Sequence, residues 1–241
     1  MNAIVFGANG GIGGALVTAL MDQRRFERVF AVARHPLPSD ALPQGAHPLL
    51  CPAYTDEALA ALAEQIAPSG PVTLCISALG LLSDPARGLS PERSVRDLSA
   101  ASFEAMFAAN TIAPALIAKH VFPLMPRKER AVFAALSARV GSIADNRLGG
   151  WHAYRASKTA LNMLIRNFAI EQARRAPEFI AVGLHPGTVD TRLSEPFQRN
   201  VPEGKLFTTA RAAGQLLAVL DGLTPAHSGG VYDWQGAEVP A

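Results

Sequence analysis

The residues that decide the fold open the chain, where Ala3-Ile4-Val5-Phe6 runs directly into Gly7-Ala8-Asn9-Gly10-Gly11-Ile12-Gly13-Gly14. The first four residues are apolar and partly β-branched, which is typical of a short buried strand. Helical periodicity follows over residues 13–24. A strand that turns into a helix through glycines suits a dinucleotide. Small residues let the backbone approach the pyrophosphate, and the unpaired N–H groups of the helix attract its charge.

We therefore expect this glycine turn to bind a nucleotide cofactor. Its expected contact residues are Gly7, Asn9, Gly10, Gly11, Ile12 and Gly13. The spacing Gly7-x-x-x-Gly11-x-Gly13 departs from the more common G-x-G-x-x-G, although both patterns can form the same cradle. The alternative interpretation is that these glycines form only a tight loop.

Strand-like and helix-like segments alternate along the rest of the chain. The apolar, strand-like segments are residues 29–33, 72–77, 131–137, 179–185 and 231–233. Helical periodicity marks residues 55–67, 102–121, 151–175 and 208–221, with Thr55 as N-cap and a kink near Pro114. Near-continuous apolar strands between helices predict a parallel sheet covered on both faces. Right-handed crossovers make it a doubly wound, Rossmann-type α/β fold.

The composition indicates one domain over residues 1–241, because no linker, charge run or repeat divides the chain. Its 22 basic and 20 acidic residues nearly balance, which gives no reason to expect nucleic acid or an acidic membrane surface as a partner. No continuous apolar run reaches the roughly 18 residues of a membrane span, and the strand-like start favours the cytoplasm. Cys51 and Cys75 lack metal-ligand spacing, so we expect no metal, and a buried thiol at Cys75.

The end of the second strand, Val32-Ala33-Arg34-His35, indicates which nucleotide binds. An acidic side chain there would bind the ribose 2′-hydroxyl of NAD, whereas this stretch has no carboxylate. The Arg34 guanidinium can instead pair with the 2′-phosphate of NADP through charge-assisted hydrogen bonds. We predict that NADP(H) is preferred and that NAD(H) remains a possible cofactor. If Arg34 is only a solvated loop residue, the chain does not distinguish the two.

Tyr154 and Lys158 stand four residues apart in a helical segment, which places them on one face, one turn apart. A lysine ammonium beside a tyrosine stabilises the phenolate and lowers the pKa of the phenol. Such a pair can exchange a proton with an alcohol or carbonyl oxygen near neutral pH. Taken alone, the pair is also common by chance on helix surfaces.

Together these residues resemble the short-chain dehydrogenase/reductase family over essentially the whole chain. Besides the glycine turn and the Tyr154–Lys158 pair, the matching positions are Ala78, Gly80, Asn110, Ser137, Pro186, Gly187, Thr188 and Thr191. The family's Asn-Asn-Ala-Gly segment is Ser77-Ala78-Leu79-Gly80 here, a departure that affects the contacts around the adenosine. Within the family the chain is similar to the C-factor-like members, in residues 84–98, 137–143 and 229–233.

The resemblance implies hydride transfer between a nicotinamide cofactor and a carbonyl or alcohol. Tyr154 would act as general acid or base, while Lys158 would lower the pKa of Tyr154 and bind the nicotinamide ribose. Ser137 would donate a hydrogen bond to the substrate oxygen, and Asn110 would hold a water linked to Lys158. The other matching positions would contact the cofactor: Ala78, Gly80, Pro186, Gly187, Thr188 and Thr191.

The loops that follow the strands should form the substrate pocket. Its expected lining residues are Leu79, Leu81, Arg139, Val140, Trp151, Leu193 and Phe197. Most of them are apolar, which suits a hydrophobic small-molecule carbonyl or alcohol, whereas Arg139 offers a site for an anionic substrate. Residues 192–208 carry Pro196, Pro202 and Gly204 without clear periodicity, and we expect them to form a mobile lid.

The segment that carries Tyr154 also has a second stripe of mostly small residues. These residues are Ala153, Ala156, Ala160, Leu164 and Asn167. A surface helix with two such faces favours burial against a partner, and the family commonly pairs this helix across a two-fold axis. We predict a homodimer or homotetramer, with the alternative that the chain's own loops cover the stripe.

A second function class stays open. The same fold can serve as a redox-silent nucleotide-binding sensor or signalling protein, since a fold alone does not establish function. The presence of Ser137, Tyr154 and Lys158 argues against this, because a redox-silent binder does not need all three. The three-residue gap between the tyrosine and the lysine argues against an enoyl reductase, a branch that usually spaces them further apart.

Overall fold

A parallel sheet of seven strands forms the centre of the computed structural model, which describes residues 1–38 and 42–241. The strands are β1 (Asn2–Phe6), β2 (Arg28–Ala33), β3 (His47–Leu50), β4 (Val72–Ser77), β5 (Ala131–Leu136), β6 (Phe179–His185), β7 (Thr188–Val189), β8 (Leu206–Phe207) and β9 (Val231–Asp233). The large sheet has the order β3-β2-β1-β4-β5-β6-β9, and β7 pairs separately with β8. The strand order reverses between β1 and β4. In open α/β sheets, ligands bind outside the carboxyl ends of the strands at such a point.

Helices cover both faces of this sheet. They are α1 (Gly11–Gln23), α2 (Asp56–Ile66), α3 (Ala100–Phe107), α4 (Ala113–Val121), α5 (His152–Ala173) and α6 (Thr209–Gly222). Val5 points to the face covered by α1 and α6, where it joins a buried cluster with Leu216. Phe6, the next residue, points to the opposite face and joins a cluster with Ile165 of α5. These two layers confirm the predicted doubly wound, Rossmann-type sheet.

The edge strand β3 is not among the predicted segments. Three of its four residues are exposed, because it pairs with β2 on one side only. An edge strand needs no buried apolar run and tolerates a proline such as Pro48, so the pattern that indicates the central strands is missing here. β7 and β8 are also unpredicted, since two residues each carry no periodicity.

The single helix predicted over residues 102–121 is divided in two. Between α3 and α4, residues Ala108–Ile112 form a turn of π-helix with Asn110 at its centre. Its side chain bonds to the loop after β4 instead of to its own helix, and π-turns commonly occur at such functional positions. Pro114 lies in the first turn of α4, where its missing N–H costs no hydrogen bond, so the break precedes the expected kink.

From the sequence we expect no apolar segment long enough to span a membrane, but the helical run Ala100–Leu124 is long enough. Its length and its mean hydropathy of 1.3 would be sufficient for a membrane-spanning helix. About 44% of its most apolar window is buried inside the fold, where α4 packs against α2 and α5. Packing against these helices therefore buries part of its apolar surface.

Two smaller expectations hold. Thr55 caps α2, since its Oγ1 accepts a hydrogen bond from the Ala58 N–H at 3.3 Å. Cys75 is a free, buried thiol whose pKa is raised by burial, and Cys51 is free and buried as well.

Candidate active site

The glycine turn has a geometry that only glycine permits at two positions. Gly7 has a φ of +81°, in the left-handed region, and its N–H donates to the Val32 carbonyl at 2.9 Å. A Cβ on Gly13 would lie 2.1 Å from the Gly7 carbonyl oxygen. α1 can therefore begin directly against the end of β1. The first N–H groups of a helix have no intrahelical acceptor, so those at the start of α1 can bind an anion.

Residues from distant parts of the chain surround this turn. The Ala78 N–H donates to the Phe6 carbonyl at 2.9 Å, which holds the end of β4 beside the turn. A Cβ on Gly11 would meet the methyl of Thr191 at 2.9 Å. Asn9 and Gly10 are exposed and Ile12 is half-buried. The turn is therefore a cradle bounded by the β4 and β6 loops.

Two buried polar atoms lie near the carboxyl ends of the strands. Ser77 Oγ and His185 Nδ1 have no hydrogen-bond partner among the described residues. Burial lowers the pKa of His185 to about 4, so its ring is neutral at physiological pH. Unsatisfied buried polar groups of this kind are costly unless a ligand or water completes them. Together with the glycine cradle, they fit a dinucleotide at this edge of the sheet.

Arg34 follows β2 and is exposed, and it makes no salt bridge with the residues that the structure describes. Its charge acts on Tyr54, a residue that the sequence patterns do not single out. Burial raises the pKa of Tyr54 to about 12, while Arg34 and the Gly7 backbone oppose that shift. Both groups therefore act on the Tyr54 hydroxyl, although no motif marks this residue.

The Tyr154–Lys158 pair is buried on α5. Tyr154 is 8% exposed and Lys158 is 2% exposed. The Lys158 ammonium donates to the Leu136 carbonyl at 2.7 Å and lies 5.9 Å from the centroid of the Tyr154 ring. The lysine is thus held by the last residue of β5, one turn of helix from the tyrosine.

The pKa values of this pair differ from the expectation. Burial raises the pKa of Tyr154 to about 12 and lowers the pKa of Lys158 to about 7. The expected lowering of the tyrosine pKa by the lysine charge is outweighed, because a low-dielectric environment disfavours both charged forms. At neutral pH Tyr154 is therefore a protonated hydrogen-bond donor.

Ser137, directly after β5, bonds to a residue that the sequence reasoning missed. Its Oγ donates to Asn162 Oδ1 at 2.6 Å, and its N–H donates to the Leu184 carbonyl at 2.8 Å. Asn162 lies four residues after Lys158, hence on the same face of α5. The i, i+4 spacing from Lys158 was the available signal for this residue.

Asn110 is fully buried and ties the loop after β4 to α5. Its Oδ1 accepts from the Leu81 N–H and its Nδ2 donates to the Leu81 carbonyl, both at 2.8 Å. The same Nδ2 donates to Ser157 Oγ at 3.0 Å. The side chain thus bonds to protein partners, and the water linked to Lys158 that the resemblance implies stays a prediction.

An apolar cluster surrounds Tyr154 and includes most of the predicted pocket. It contains Leu81, Leu82, Phe103, Met106, Ala138, Val140, Trp151, Ala153, Leu193 and Phe197. The Trp151 ring lies 6.2 Å from the Tyr154 ring and 5.0 Å from the Phe197 ring, measured between centroids. Ala153 therefore belongs to this cluster and not to the outer stripe of α5.

Two predicted pocket residues lie elsewhere. Leu79 packs against the core on the α4–α5 side, with its Cδ2 close to Gly7. Arg139 is exposed and its Nε donates to Asp145 at 2.6 Å, so a carboxylate already pairs with it. No local sequence pattern indicates that Leu79 packs into the core or that Arg139 pairs with Asp145.

The segment after β6 connects the two halves of the site. Gly187, which follows Pro186, has a φ of +76° and packs under Phe207, while Thr188 pairs with Leu206 in the small sheet. Leu193 belongs to the Tyr154 cluster and lies 3.2 Å from where a Cβ on Gly80 would be. The lid predicted over residues 192–208 contains a 3₁₀ helix, Glu195–Asn200, and the strand β8, so it is more regular than expected.

Glu92 is a second residue that no pattern reveals. It is a buried carboxylate, 3% exposed, from the segment between β4 and α3. Its Oε1 accepts from Ser102 Oγ at 2.6 Å and its Oε2 accepts from the Ala153 N–H at 3.2 Å. Trp151, the N-cap of α5, has a φ of 50° and makes no side-chain cap, so Glu92 supplies the cap of the helix that carries Tyr154.

No group of three or more His, Cys, Asp or Glu side chains within residues 1–38 and 42–241 is arranged to hold a metal ion. The site therefore combines a nucleotide cradle with a buried tyrosine–lysine pair at the same sheet edge. This combination defines a class, the NAD(P)-dependent oxidoreductases of the Rossmann type.

Comparison with known proteins narrows that class. The sequence profile described as short chain dehydrogenase matches residues 1–202. The chain belongs to this family, and it is an NAD(P)-dependent oxidoreductase. The resemblance to C-factor-like members is confirmed by the C-signal of Myxococcus xanthus, which is 35% identical over 60% of this chain and 81% of its own length.

Solved structures share the fold. The carbonyl reductase Sniffer of D. melanogaster superposes with a TM-score of 0.85 at 21% identity, covering 100% of this chain and 99% of that one. An NADPH-bound carbonyl reductase from chicken fatty liver superposes with a TM-score of 0.84 at 24% identity, covering 100% and 94%. At these identities the likeness establishes the architecture.

Proposed function

We propose that this oxidoreductase interconverts a small-molecule carbonyl compound and its alcohol, with NADP(H) preferred and NAD(H) as the weaker cofactor. The observation that carries the proposal is the buried Tyr154–Lys158 pair, which opens onto an apolar cluster at the carboxyl edge of the sheet. When bound, the cofactor supplies the hydride, while the protein supplies orientation and the proton.

Tyr154 is the general acid in the direction of reduction and the general base in reverse. Its pKa of about 12 keeps the phenol protonated, so a proton is available as negative charge develops on the carbonyl oxygen. Ser137 donates a second hydrogen bond to that oxygen once its Oγ leaves Asn162. Lys158 binds the nicotinamide ribose and, when protonated, favours the phenolate form of Tyr154.

The preference for NADP(H) rests on Arg34. Its guanidinium is exposed at the end of β2 and has no acidic partner among the described residues, so it is free to bind a 2′-phosphate. The NADPH in the fold-related reductase from chicken fatty liver supports this choice. The glycine turn, Ala78, Gly80 and the segment from Pro186 to Thr191 would hold the remainder of the dinucleotide.

The test is a fluorescence titration with NADPH and NADH, followed by an NADPH-oxidation assay on a panel of aldehydes and ketones. We expect tight NADPH binding, weaker NADH binding and turnover of apolar carbonyl compounds. Arg34→Ala should weaken NADPH by about tenfold or more and leave NADH nearly unchanged, because each good charge-assisted contact is worth about 1.5–3 kcal/mol. Arg28→Ala, at the opposite end of β2, is the matched control.

A redox-silent nucleotide-binding signalling protein is the second candidate, and the similarity to the C-signal favours it. That function requires cofactor binding but no proton transfer. NADPH binding without turnover of any carbonyl or alcohol in either direction would support it over the enzyme. Failure to bind either nucleotide would contradict both candidates.

We further propose that the enzyme works in the cytoplasm as a homodimer or homotetramer, without nucleic acid or membrane as a partner. The nearly balanced charge gives no reason to expect nucleic acid as a partner, and the partial burial of the run Ala100–Leu124 within the fold argues against a membrane. Self-association is supported by three exposed apolar side chains on the α4–α5 side, because a partner subunit would bury them. They are Ile112, Met163 and Ile170, which are 52%, 62% and 47% exposed.

A further inference from the structure

We propose that the segment of residues 83–93 forms a second wall of the substrate site, and that the cavity behind it takes the apolar body of an extended carbonyl compound. The inference rests on the proposed carbonyl chemistry and names its substrate class. It predicts medium-length or bulky apolar ketones and aldehydes over compact, polar ones.

The cavity has a volume of about 570 Å³. Its apolar lining comes from Pro85, Leu89, Pro91, Trp151, Pro196 and Phe197. Ser83, Gly88, Ser90 and the solvent-exposed Arg93 complete the lining. A mostly apolar cleft of several hundred Å³ is the size and character of sites that bind small organic ligands.

The cavity borders the apolar cluster around Tyr154 and shares two residues with it. Trp151 and Phe197 line it, and both belong to the cluster in which Tyr154 is buried. The Trp151 ring lies beside both the Tyr154 ring and the Phe197 ring, with centroid distances of 6.2 and 5.0 Å. In the proposed binding mode, a substrate with its carbonyl at Tyr154 extends its apolar body past Trp151 into this cavity.

The wall is built onto the catalytic helix. The Glu92 carbonyl accepts from the Trp151 N–H at 2.6 Å, and the Glu92 carboxylate accepts from the Ala153 N–H at 3.2 Å. Asp84 and Leu89 exchange two backbone hydrogen bonds of 2.9 Å, which close the segment on itself. Glu92 therefore attaches the segment of residues 83–93 to the first turn of α5, the helix that carries Tyr154. The fold thus fixes the distance between the proposed subsite and the reacting group.

The experiment compares a homologous series of methyl ketones from 2-butanone to 2-octanone. In the native protein, kcat/KM should rise by up to about fourfold for each added methylene, which corresponds to 0.8 kcal/mol per buried CH₂. Ser90→Phe places a ring in the cavity from an exposed lining position. It should lower the ratio of kcat/KM for 2-octanone to that for 2-butanone by about tenfold or more.

Ala86→Phe is the matched control, because Ala86 is exposed in the same segment and lines neither of the two cavities found there. We expect it to keep the native dependence on chain length. Turnover that does not rise with chain length, or a rise that persists in Ser90→Phe, would overturn the subsite while leaving carbonyl reduction intact.

A binding measurement separates this inference from the proposed function. The chain has two tryptophans, so Trp234→Phe leaves Trp151 as the only tryptophan reporter. Saturable quenching of Trp151 by 2-octanone that Ser90→Phe removes would support the subsite even if no ketone is reduced. The absence of Trp151 quenching by 2-octanone would refute the subsite, whether or not the enzyme reduces ketones.

Discussion

At the scale of single residues, the site depends on how burial changes the chemistry of Tyr154 and Lys158. Both side chains are nearly enclosed, and each is pushed towards its neutral form. A neutral phenol is a proton donor, which suits reduction of a carbonyl. In the proposed reverse reaction, the lysine charge would recover part of the acidity that burial removes from Tyr154.

Tyr154→Phe removes the proton donor while keeping the ring in its apolar cluster. We expect kcat to fall by about a hundredfold to ten-thousandfold, the usual contribution of a positioned general acid. NADPH affinity, measured by fluorescence, should stay nearly unchanged. Tyr232→Phe is the control, since that hydroxyl bonds to the His227 carbonyl. Unchanged turnover in Tyr154→Phe would remove the tyrosine from the mechanism.

Lys158 should make the stability of the protein depend on pH. Its pKa falls from 10.5 to about 7 on folding, so between these values the unfolded chain binds the extra proton. The free energy of unfolding therefore rises with pH through this window, by at most about 1.4 kcal/mol per pH unit. Below about pH 7 the buried lysine is charged in both states, and the full cost of its burial is present.

Urea denaturation of the native protein and of Lys158→Met at pH 7 and pH 9 tests whether Lys158 causes this dependence of stability on pH. The native protein should gain stability relative to the variant as the pH rises, since methionine does not titrate. Contributions from other groups cancel in the difference between the two proteins. A difference that is independent of pH would show that Lys158 keeps its ordinary pKa in the fold.

At the scale of secondary-structure elements, α1 can begin where it does only because Gly13 lacks a side chain. A Cβ there would lie 2.1 Å from a backbone oxygen that cannot move without displacing β1. Gly13→Ala should lower the free energy of unfolding by about 1–3 kcal/mol or more and weaken NADPH binding.

Gly214→Ala is the matched control on α6, because a Cβ there meets no atom within 4 Å. It should raise the free energy of unfolding by about 0.4–1 kcal/mol, since alanine restricts the unfolded chain and favours a helix. Thermal or urea denaturation measures both variants. Equal effects of the two substitutions would contradict the close approach of α1 to the turn.

The start of α5 depends on a carboxylate that lies 61 residues before its partner Ala153. Glu92→Ala leaves the Ala153 N–H and the Ser102 hydroxyl buried without an acceptor. We expect a loss of about 2–3 kcal/mol in the free energy of unfolding, and a lower kcat, because the first turn of α5 carries Tyr154.

Glu64→Ala, an exposed position on α2, should change stability by less than about 0.5 kcal/mol. Glu92→Gln, which keeps one acceptor oxygen, should recover part of the stability and activity lost in Glu92→Ala. Stability of Glu92→Ala equal to that of Glu64→Ala would show that the cap contributes nothing.

At the scale of the whole molecule, the α4–α5 side is the surface where we expect self-association. Met163 and Ile170 are seven residues apart on α5 and therefore share one face, along the stripe that contains Ala156, Ala160 and Asn167. Light scattering should give two or four times the chain mass of 25.4 kDa. The double substitution Met163→Glu, Ile170→Glu should give a monomer, because buried unpaired charges are costly.

Leu148→Glu is the control for that experiment, since Leu148 is 91% exposed in the loop before α5 and lies outside the stripe. It should leave the mass unchanged. A native protein that scatters as a monomer at micromolar concentration would refute the proposed assembly.

The sheet as a whole explains which parts of the fold were predictable. Central strands such as β4 and β6 are covered on both faces, so their apolar runs are local signals, and their predicted limits agree with the structure. The edge strand β3 lacks such a run because one side of it has no neighbour. The break at Asn110 depends on a partner in another loop, so helical periodicity does not reveal it.

The amino-acid sequence by itself determined the glycine turn, the alternation of the central strands with helices, and the Tyr154–Lys158 spacing. Each of these depends on neighbouring residues and on backbone geometry. Only the tertiary structure decided the cap by Glu92, the bond from Ser137 to Asn162 and the pKa values of Tyr154 and Lys158. These features arise from contacts between distant residues and from burial, which exist only once the chain has folded.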